Sequence, residues 1–389
     1  GEPSLTVGPI VGKVDSTSAR ILVEPDRDVT VSCSATKDGE DSPAQAVELE
    51  LTRGRPSVFK FEGLEPSTLY TVTFEGARIF TDRCSFRTTP DGGWSVERGD
   101  QPHLAIVSCN KVYTSRALPR GSPADLWRNL ETRLRDGEQI DYMLHLGDNV
   151  YNDHEWYLVE KGKKRMEGHS CKWGVAVTWL RDMEQDDWES KRNEIEELFR
   201  TAYRETWGHA PTRYVLANVP NLMLFDDHDI RDDFGDRAGD FDPTTMDRWL
   251  ADIAYIVIKE YQKQLYEDIQ DSFDFHHHCF GDVGFVFVDV RGCKTFHRVE
   301  GDSAPFLGKH QWRALEDSME EGPLSACRSI LMLMPVPIAY VTETATMVAG
   351  KRVVDDLLGQ WSATEHMPEV PRFLRMCNQW RGRGDGREV

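Results

Sequence analysis

The hydrophobic pattern changes period once along the chain, at a polar, glycine-rich stretch running from Asp91-Gly92-Gly93 to Gly99-Asp100. Before it, apolar residues recur at every second position. Val29, Val31, Cys33 and Ala35 alternate with Thr30, Ser32 and Ser34, and Val47, Leu49 and Leu51 alternate with Glu48, Glu50 and Thr52. A period of two places one face of each strand in a core and the other in water. After it, short apolar runs alternate with helical spacings, the mark of a layered α/β domain. The chain therefore divides into an immunoglobulin- or fibronectin-like β-sandwich over residues 1–92 and an α/β domain over 100–389.

Within the sandwich, Gly63-Leu64-Glu65-Pro66-Ser67-Thr68-Leu69-Tyr70 predicts a tyrosine corner, in which a phenol ties down the loop before its strand. Cys33 and Cys84 fall in predicted strands and are read as buried free thiols, with a facing pair as the alternative. In the second unit, Leu104-Ala105-Ile106-Val107 predicts a strand buried on both faces. Ser122-Pro123 predicts the start of a helix carrying Leu126, Leu130 and Leu134 and stopped by Gly137. Strands follow at Tyr142–Leu146 and Asn221–Phe225, then a hairpin of 273–280 with 285–290 about Gly281-Asp282-Val283-Gly284. A helix from Gly308 turns Trp312 and Leu315 inward, and a strand at Ile330–Met334 comes after it. The stretch from Asn152 to Pro220 is read as an insertion over the site, in which Trp173, Trp179 and Trp188 either line a substrate rim or pack.

A formal charge of −20 argues against a nucleic-acid or anionic-membrane surface, because phosphates are repelled at long range. It suits cation binding. No apolar run is long enough for a membrane span, and no C-x-x-C pair marks a zinc ribbon or redox dithiol.

Three of the apolar strands run straight into polar residues. The first ends in Ser108-Cys109-Asn110, the second in Gly147-Asp148-Asn149-Val150-Tyr151, the third in Asp226-Asp227-His228-Asp229. Ligands of open α/β sheets bind beyond the carboxyl ends of the strands, so these tips can converge. A thiolate, a phenolate, carboxylates and a histidine there suit metal ions. Each piece also has a plainer reading. Asp148 can be a turn cap, Tyr151 a core residue and Cys109 a small buried hydrophobe. The eight aspartates between Asp226 and Asp242 repel one another unless cations neutralise them; the alternative is a solvated acidic loop. His276-His277-His278 lies in a predicted strand, where alternating faces prevent all three from holding one ion.

Taken together, Ser-Cys-Asn, His-Leu-Gly-Asp-Asn-Val-Tyr and Asp-Asp-His-Asp resemble the PhoD-like alkaline phosphatases and phosphodiesterases of the metallophosphoesterase superfamily. The likeness extends through Val288-Asp289-Val290-Arg291, Leu307-Gly308 with Gln311-Trp312, and Met334-Pro335-Val336-Pro337. The resemblance implies a four-layer αββα metallophosphoesterase sandwich behind the small β-sandwich, and metal-dependent hydrolysis of small phosphate esters. It implies Fe3+ and Ca2+, with Cys109 and Tyr151 on iron, Asp148 bridging, and Asp227 and Asp232 at the second ion. His228 becomes the phosphate-contacting or proton-donating histidine, while Arg231 and Arg291 are candidate phosphate clamps, with pairing to a structural carboxylate as the alternative for Arg291. Asp232 and Asp233 stand where the family commonly has asparagines. The resemblance is compatible with a secreted or periplasmic location, and cysteine usage does not fix the compartment. Further ligands are expected on a later Gly-Asp-Val-His-type turn, which either lies outside the given residues or is lost; a catalytically silent binding protein with an incomplete metal shell is the alternative function.

Overall fold

The computed structural model describes residues 1–389 apart from 113–124, 154–155, 161–162, 170, 270–273, 297–298, 300–304, 339–359, 362, 364 and 385, and gives only the strands within 154–170. The first strands are β1 (Leu5–Val14), β2 (Ala19–Pro25), β3 (Val29–Lys37), β4 (Gln45–Leu51), β5 (Ser57–Phe61), β6 (Leu69–Glu75) and β7 (Ser85–Arg87). They form two antiparallel sheets in the orders β1-β2-β5 and β4-β3-β6-β7. As the alternation predicts, Val31, Cys33 and Ala35 are buried against Ile21, Phe59, Phe61 and Val72. Tyr70 is buried, and its Oη accepts from the Glu65 amide at 2.9 Å, which closes the expected corner. Cys33 and Cys84 are both buried free thiols.

The second unit comprises β8 (Leu104–Val107), α1 (Leu126–Arg135), β9 (Tyr142–Leu146), the hairpin β10 (Trp156–Glu160) and β11 (Lys163–His169), and helices α2 (Lys172–Leu180), α3 (Arg192–Trp207) and α4 (Ala210–Asn218). It continues with β12 (Asn221–Leu224), α5 (Met246–Tyr261), β13 (His276–Phe280), β14 (Val283–Phe287), α6 (Lys309–Glu320), β15 (Ser329–Leu333) and α7 (Glu369–Arg381). Strands β12-β9-β8 form a parallel sheet. In β13-β14-β15 the central strand is antiparallel to β13 and parallel to β15. Side chains from both sheets share one core, Tyr142, Leu144, Leu222 and Leu224 meeting Phe280, Phe285, Phe287 and Leu333. Successive strand residues face opposite ways. Met143 accordingly packs with Val215 of α4 and with Leu130 and Leu134 of α1, while Val286 and Ile330 pack with Trp312 of α6 and Phe373 of α7.

Several expectations are corrected. Ile106 is 52 % exposed, because β8 ends the strand order and the second sheet does not reach over it among the described residues. Helix α1 is capped by Asp125, whose side chain accepts from the amides of Trp127 and Arg128, whereas Ser122-Pro123 lies outside the described residues. The hairpin turns on Gly281-Asp282 alone, with Val283 and Gly284 already in β14; Phe273 lies outside the described residues. Within the stretch from Asn152 to Pro220, α2 and α3 supply much of the largest core. Ile195, Phe199, Ala202, Tyr203 and Trp207 recur at helical spacing on one buried face. Trp173 stacks on Phe199 and Trp188 packs on Trp249, so both are packing residues, while Trp179 is 40 % exposed.

The glycine-rich connection is docked. Trp94 is buried against Tyr142, Phe280 and Phe285, and its amide donates to the Phe280 carbonyl at 3.0 Å. The sandwich is joined to the parallel sheet through β1. Tyr142 Oη accepts from the Val14 amide at 2.7 Å and donates to the Val14 carbonyl, and Asn221 donates to the Val11 carbonyl at 2.9 Å.

Candidate metal centre

Because β8, β9 and β12 are neighbours and parallel, their carboxyl ends open side by side. The tips are knitted by backbone bonds. Cys109 N donates to the Gly147 carbonyl at 3.2 Å, Asn110 N to the Asp148 carbonyl at 2.8 Å, and Asn152 N to the His228 carbonyl at 3.1 Å. Left-handed backbone is disfavoured wherever a Cβ is present. Four described non-glycine residues adopt it, and three of them, Cys109 (φ 56°), Asp148 (φ 52°) and Asp233 (φ 56°), belong to this cluster. Concentrated strain of this kind is a mark of functional sites. Gly147, at φ +87°, makes the turn before Asp148, and a Cβ on it would stand 2.4 Å from the Asp226 Cβ. The glycine thus lets the β9 and β12 tips touch.

Tyr151 Oη donates to Asp148 Oδ2 at 2.9 Å, and the Cys109 thiol is near enough for the Asp148 charge to act on it. Burial and the charge of Asp148 push the Cys109 and Tyr151 pKa values up. Asp148 is itself raised, first by burial and then by Asp227, with His228 opposing. Its Oδ1 is buried and makes no hydrogen bond of good geometry. These groups resist ionising together, and a cation among them would reverse that cost. Ligand atoms of Asp148, Asp227 and His228 lie within 4.8 Å of one another, as do those of Asp227, Asp232 and Asp233. Carboxylates and an imidazole this close together suit a metal ion.

His228 is the charged partner in the cluster. Its Nδ1 lies 2.9 and 3.0 Å from the two oxygens of Asp153, its Nε2 lies 3.5 Å from Asp232, and its ring packs on Tyr151 at 4.5 Å. Burial disfavours the imidazolium, but the hydrogen bond and charge of Asp153, followed by Asp227 and Asp148, outweigh burial and lift the pKa to about 9.

The sequence profile of the PhoD-like phosphatases matches residues 104–323, more than half of the chain. The chain belongs to the PhoD-like phosphatase family. Residues 2–90 match a separate profile, described only as a domain of unknown function. A solved structure of PhoD superposes with a TM-score of 0.65 at 13 % identity, covering 97 % of this chain and 69 % of that one. At that identity the likeness speaks for the fold alone. The FN5 domain of Drosophila Lar aligns at 19 % identity over 23 % of this chain and 96 % of its own, but with a TM-score of 0.17. No curated protein matches the chain. Family and fold point to hydrolysis of phosphoester bonds. No described helix is long and apolar enough to cross a membrane.

In this PhoD-like chain the five residues expected around metals, Cys109, Asp148, Tyr151, Asp227 and Asp232, all stand at the tips, with His228 among them. Arg231 departs from expectation. Its buried guanidinium is committed to Asp240, to Asp247 at 3.3 Å and to the Asp232 carbonyl at 2.7 Å, so it braces the acidic loop. Arg291, the other clamp candidate, is buried beneath the site. Its Nε meets Asp226 at 2.5 Å, its Nη2 lies 3.5 Å from Asp227, and its Nη1 donates to the Phe234 carbonyl at 2.8 Å. Burial raises Asp227, but Arg291 and His228 overcome it and hold the carboxyl below its usual range. Sequence reasoning missed Asp153, whose only local signal is its place two residues after Tyr151. It also missed Lys111, whose Nζ lies 4.9 Å from the centre of the Tyr151 ring.

Proposed function

We propose that this chain is a metal-dependent phosphoesterase that hydrolyses small phosphate monoesters, diesters or both. The observation that carries the reading is the meeting of Cys109, Asp148, Tyr151, Asp227 and His228 at three adjoining strand ends. In this reading Cys109, Tyr151 and Asp148 hold Fe3+, and Asp148 with Asp227 and Asp232 holds Ca2+. Such ions, when bound, acidify water toward a pKa of about 7 and neutralise phosphoryl oxygens.

The chain's own residues do the rest. With metal bound, Cys109 and Tyr151 would be held as thiolate and phenolate, and Asp148 would supply a carboxylate to both ions. Arg291 fixes Asp226 and Asp227 from below. His228, anchored through Nδ1 by Asp153, keeps a proton on Nε2 for the leaving alkoxide, a role typically worth about 100- to 10,000-fold. Residues 1–92 and 100–389 form the sandwich and catalytic units of this reading. A four-layer αββα order for the second unit is supported by the core shared between its sheets and by helices packed on their outer faces. A secreted or periplasmic location belongs to the same reading, and cell fractionation checks it.

The test is Asp148→Asn assayed on p-nitrophenyl phosphate and bis(p-nitrophenyl) phosphate with iron and calcium added. Replacing a shared carboxylate by a neutral amide is expected to cut turnover by at least about 100-fold. Near-normal turnover in the variant sinks the assignment. Less than one bound metal per wild-type chain, with no hydrolysis, would indicate the silent binding protein instead.

A further inference from the structure

Away from the strand tips, two thiols meet across a gap in the second sheet. Cys279 of β13 stands directly opposite Gly284 of β14, so the two positions share a face. Gly284 has no side chain, and the Cys327 sulfur lies 3.3 Å from where its Cβ would be, with Leu324 Cδ2 at 2.8 Å and Ile330 Cγ1 at 3.4 Å. Cys327 precedes β15, the strand that pairs Ile330 with Gly284. The missing side chain is the opening through which Cys327 reaches over β14, onto the face that Cys279 shares with Gly284. Their access to solvent differs, Cys279 being exposed and Cys327 fully buried.

We propose that Cys279 and Cys327 form a reversible disulfide, with Cys279 as the attacking and Cys327 as the resolving thiol, and a small-molecule disulfide as the oxidant. The Cys279 thiolate attacks one sulfur of the oxidant and expels a thiolate, leaving a mixed disulfide on Cys279. Cys327 then attacks the Cys279 sulfur and expels the second thiolate. The two protons lost by the cysteines end on the two released thiolates. One protein disulfide forms, and one small disulfide is reduced to two thiols. The local electrostatics favour this direction of attack. The neighbouring Cys327 thiol lowers the Cys279 pKa, partial burial works against it, and the charge of Lys13 lowers it again. Lys13 is held nearby, with Nζ 5.9 Å from the centre of the Phe280 ring.

The sandwich provides the contrast. Cys33 and Cys84 are also neighbours, but both are sealed in an apolar core, and burial pushes both pKa values up. A soluble oxidant reaches neither. The Cys279–Cys327 bond would instead clamp β13 to the segment before β15. It would do so beside the Gly281-Asp282 turn, where Trp94 docks and where the Asp282 carbonyl accepts from the amides of Arg328 and Ser329. In an oxidising compartment the clamp would be closed, and in a reducing one open.

The experiment treats the full, native chain with oxidised glutathione near pH 8, then blocks remaining thiols and maps peptides by mass spectrometry. Expected is a linked peptide pair containing Cys279 and Cys327, a loss of two titratable thiols, reversal by dithiothreitol, and a melting temperature raised by roughly 5 °C. Cys327→Ser should stop at a glutathione adduct on Cys279, and Cys279→Ser should leave Cys327 unmodified. Three outcomes overturn the proposal: wild-type Cys279 carrying a lasting adduct while Cys327 stays reduced, both thiols remaining free, or Cys33–Cys84 linking first.

Discussion

The β-sandwich core and the cluster at the strand ends both bury polar groups, but they do so in opposite ways. In the sandwich, the phenol of Tyr70 is closed by the amide of Glu65, a partner five residues away. The residues around it are apolar, and the buried thiols of Cys33 and Cys84 simply stay protonated. At the strand ends, carboxylates are set against one another. Asp148 and Asp226 are raised by burial and by neighbouring acids, while Asp227 is held low by Arg291 and His228. A fold seeking only stability would avoid such crowding, since an uncompensated buried charge is costly. The apolar core of the sandwich leaves its thiols neutral, whereas the cluster crowds groups whose charges a cation would offset.

The strongest way to break this contrast is Gly147→Ala. The added methyl must clear the Asp226 Cβ at 2.4 Å, and alanine must adopt φ +87°. The β9 and β12 tips should part, with turnover on p-nitrophenyl phosphate falling by about 100-fold or more. Wild-type turnover would show that the tips need not touch.

A milder change sharpens it. Asp153→Asn leaves every proposed ligand in place but removes the charge behind His228, and kcat should fall by roughly 10- to 100-fold. The same variant bears on pH dependence. In the metal-free wild type, His228 titrates at about 9 when folded, against about 6.5 in an unfolded chain. The native state therefore holds a proton that the unfolded state has released. Its contribution to stability is complete below about pH 6.5 and is lost as pH rises through 9. Urea midpoints of the metal-free protein across that window should decline for wild type and flatten for Asp153→Asn. Parallel profiles would mean that Asp153 does not control the ring.

The smallest effect belongs to the sandwich. Tyr70→Phe removes one local hydrogen bond and should cost about 1 kcal/mol in denaturant stability. Turnover should not change, because the corner lies within the sandwich and touches none of the proposed ligands. A matching loss of turnover would mean that the two regions are coupled, for instance through β1, which bonds Tyr142 and Asn221.

Much of the fold was legible in the residues. The period of two set the faces of β3 and β4, and the Gly63–Tyr70 string marked the corner. The sudden change from apolar to polar at the ends of β8, β9 and β12 marked the cluster. What stayed hidden depended on partners distant in sequence. Asp153 meets His228 across 75 residues, and nothing local distinguishes it from a surface acid. Arg231 reads as a phosphate clamp until it is seen against Asp240, and the carboxylate offered as the other partner for Arg291 has no number until Asp226 is seen beside it. Trp173 and Trp188 could line a rim or fill a core until α3 and α5 are seen to cover them.

By itself the sequence determined the periods, the turns and the kinds of donor atom at three strand ends, because these follow from backbone geometry and side-chain chemistry within a few residues. Only the tertiary structure decided which charges neutralise which. A carboxylate's protonation and direction depend on neighbours brought within a few ångströms by the packing of the whole sheet, and no local pattern records them.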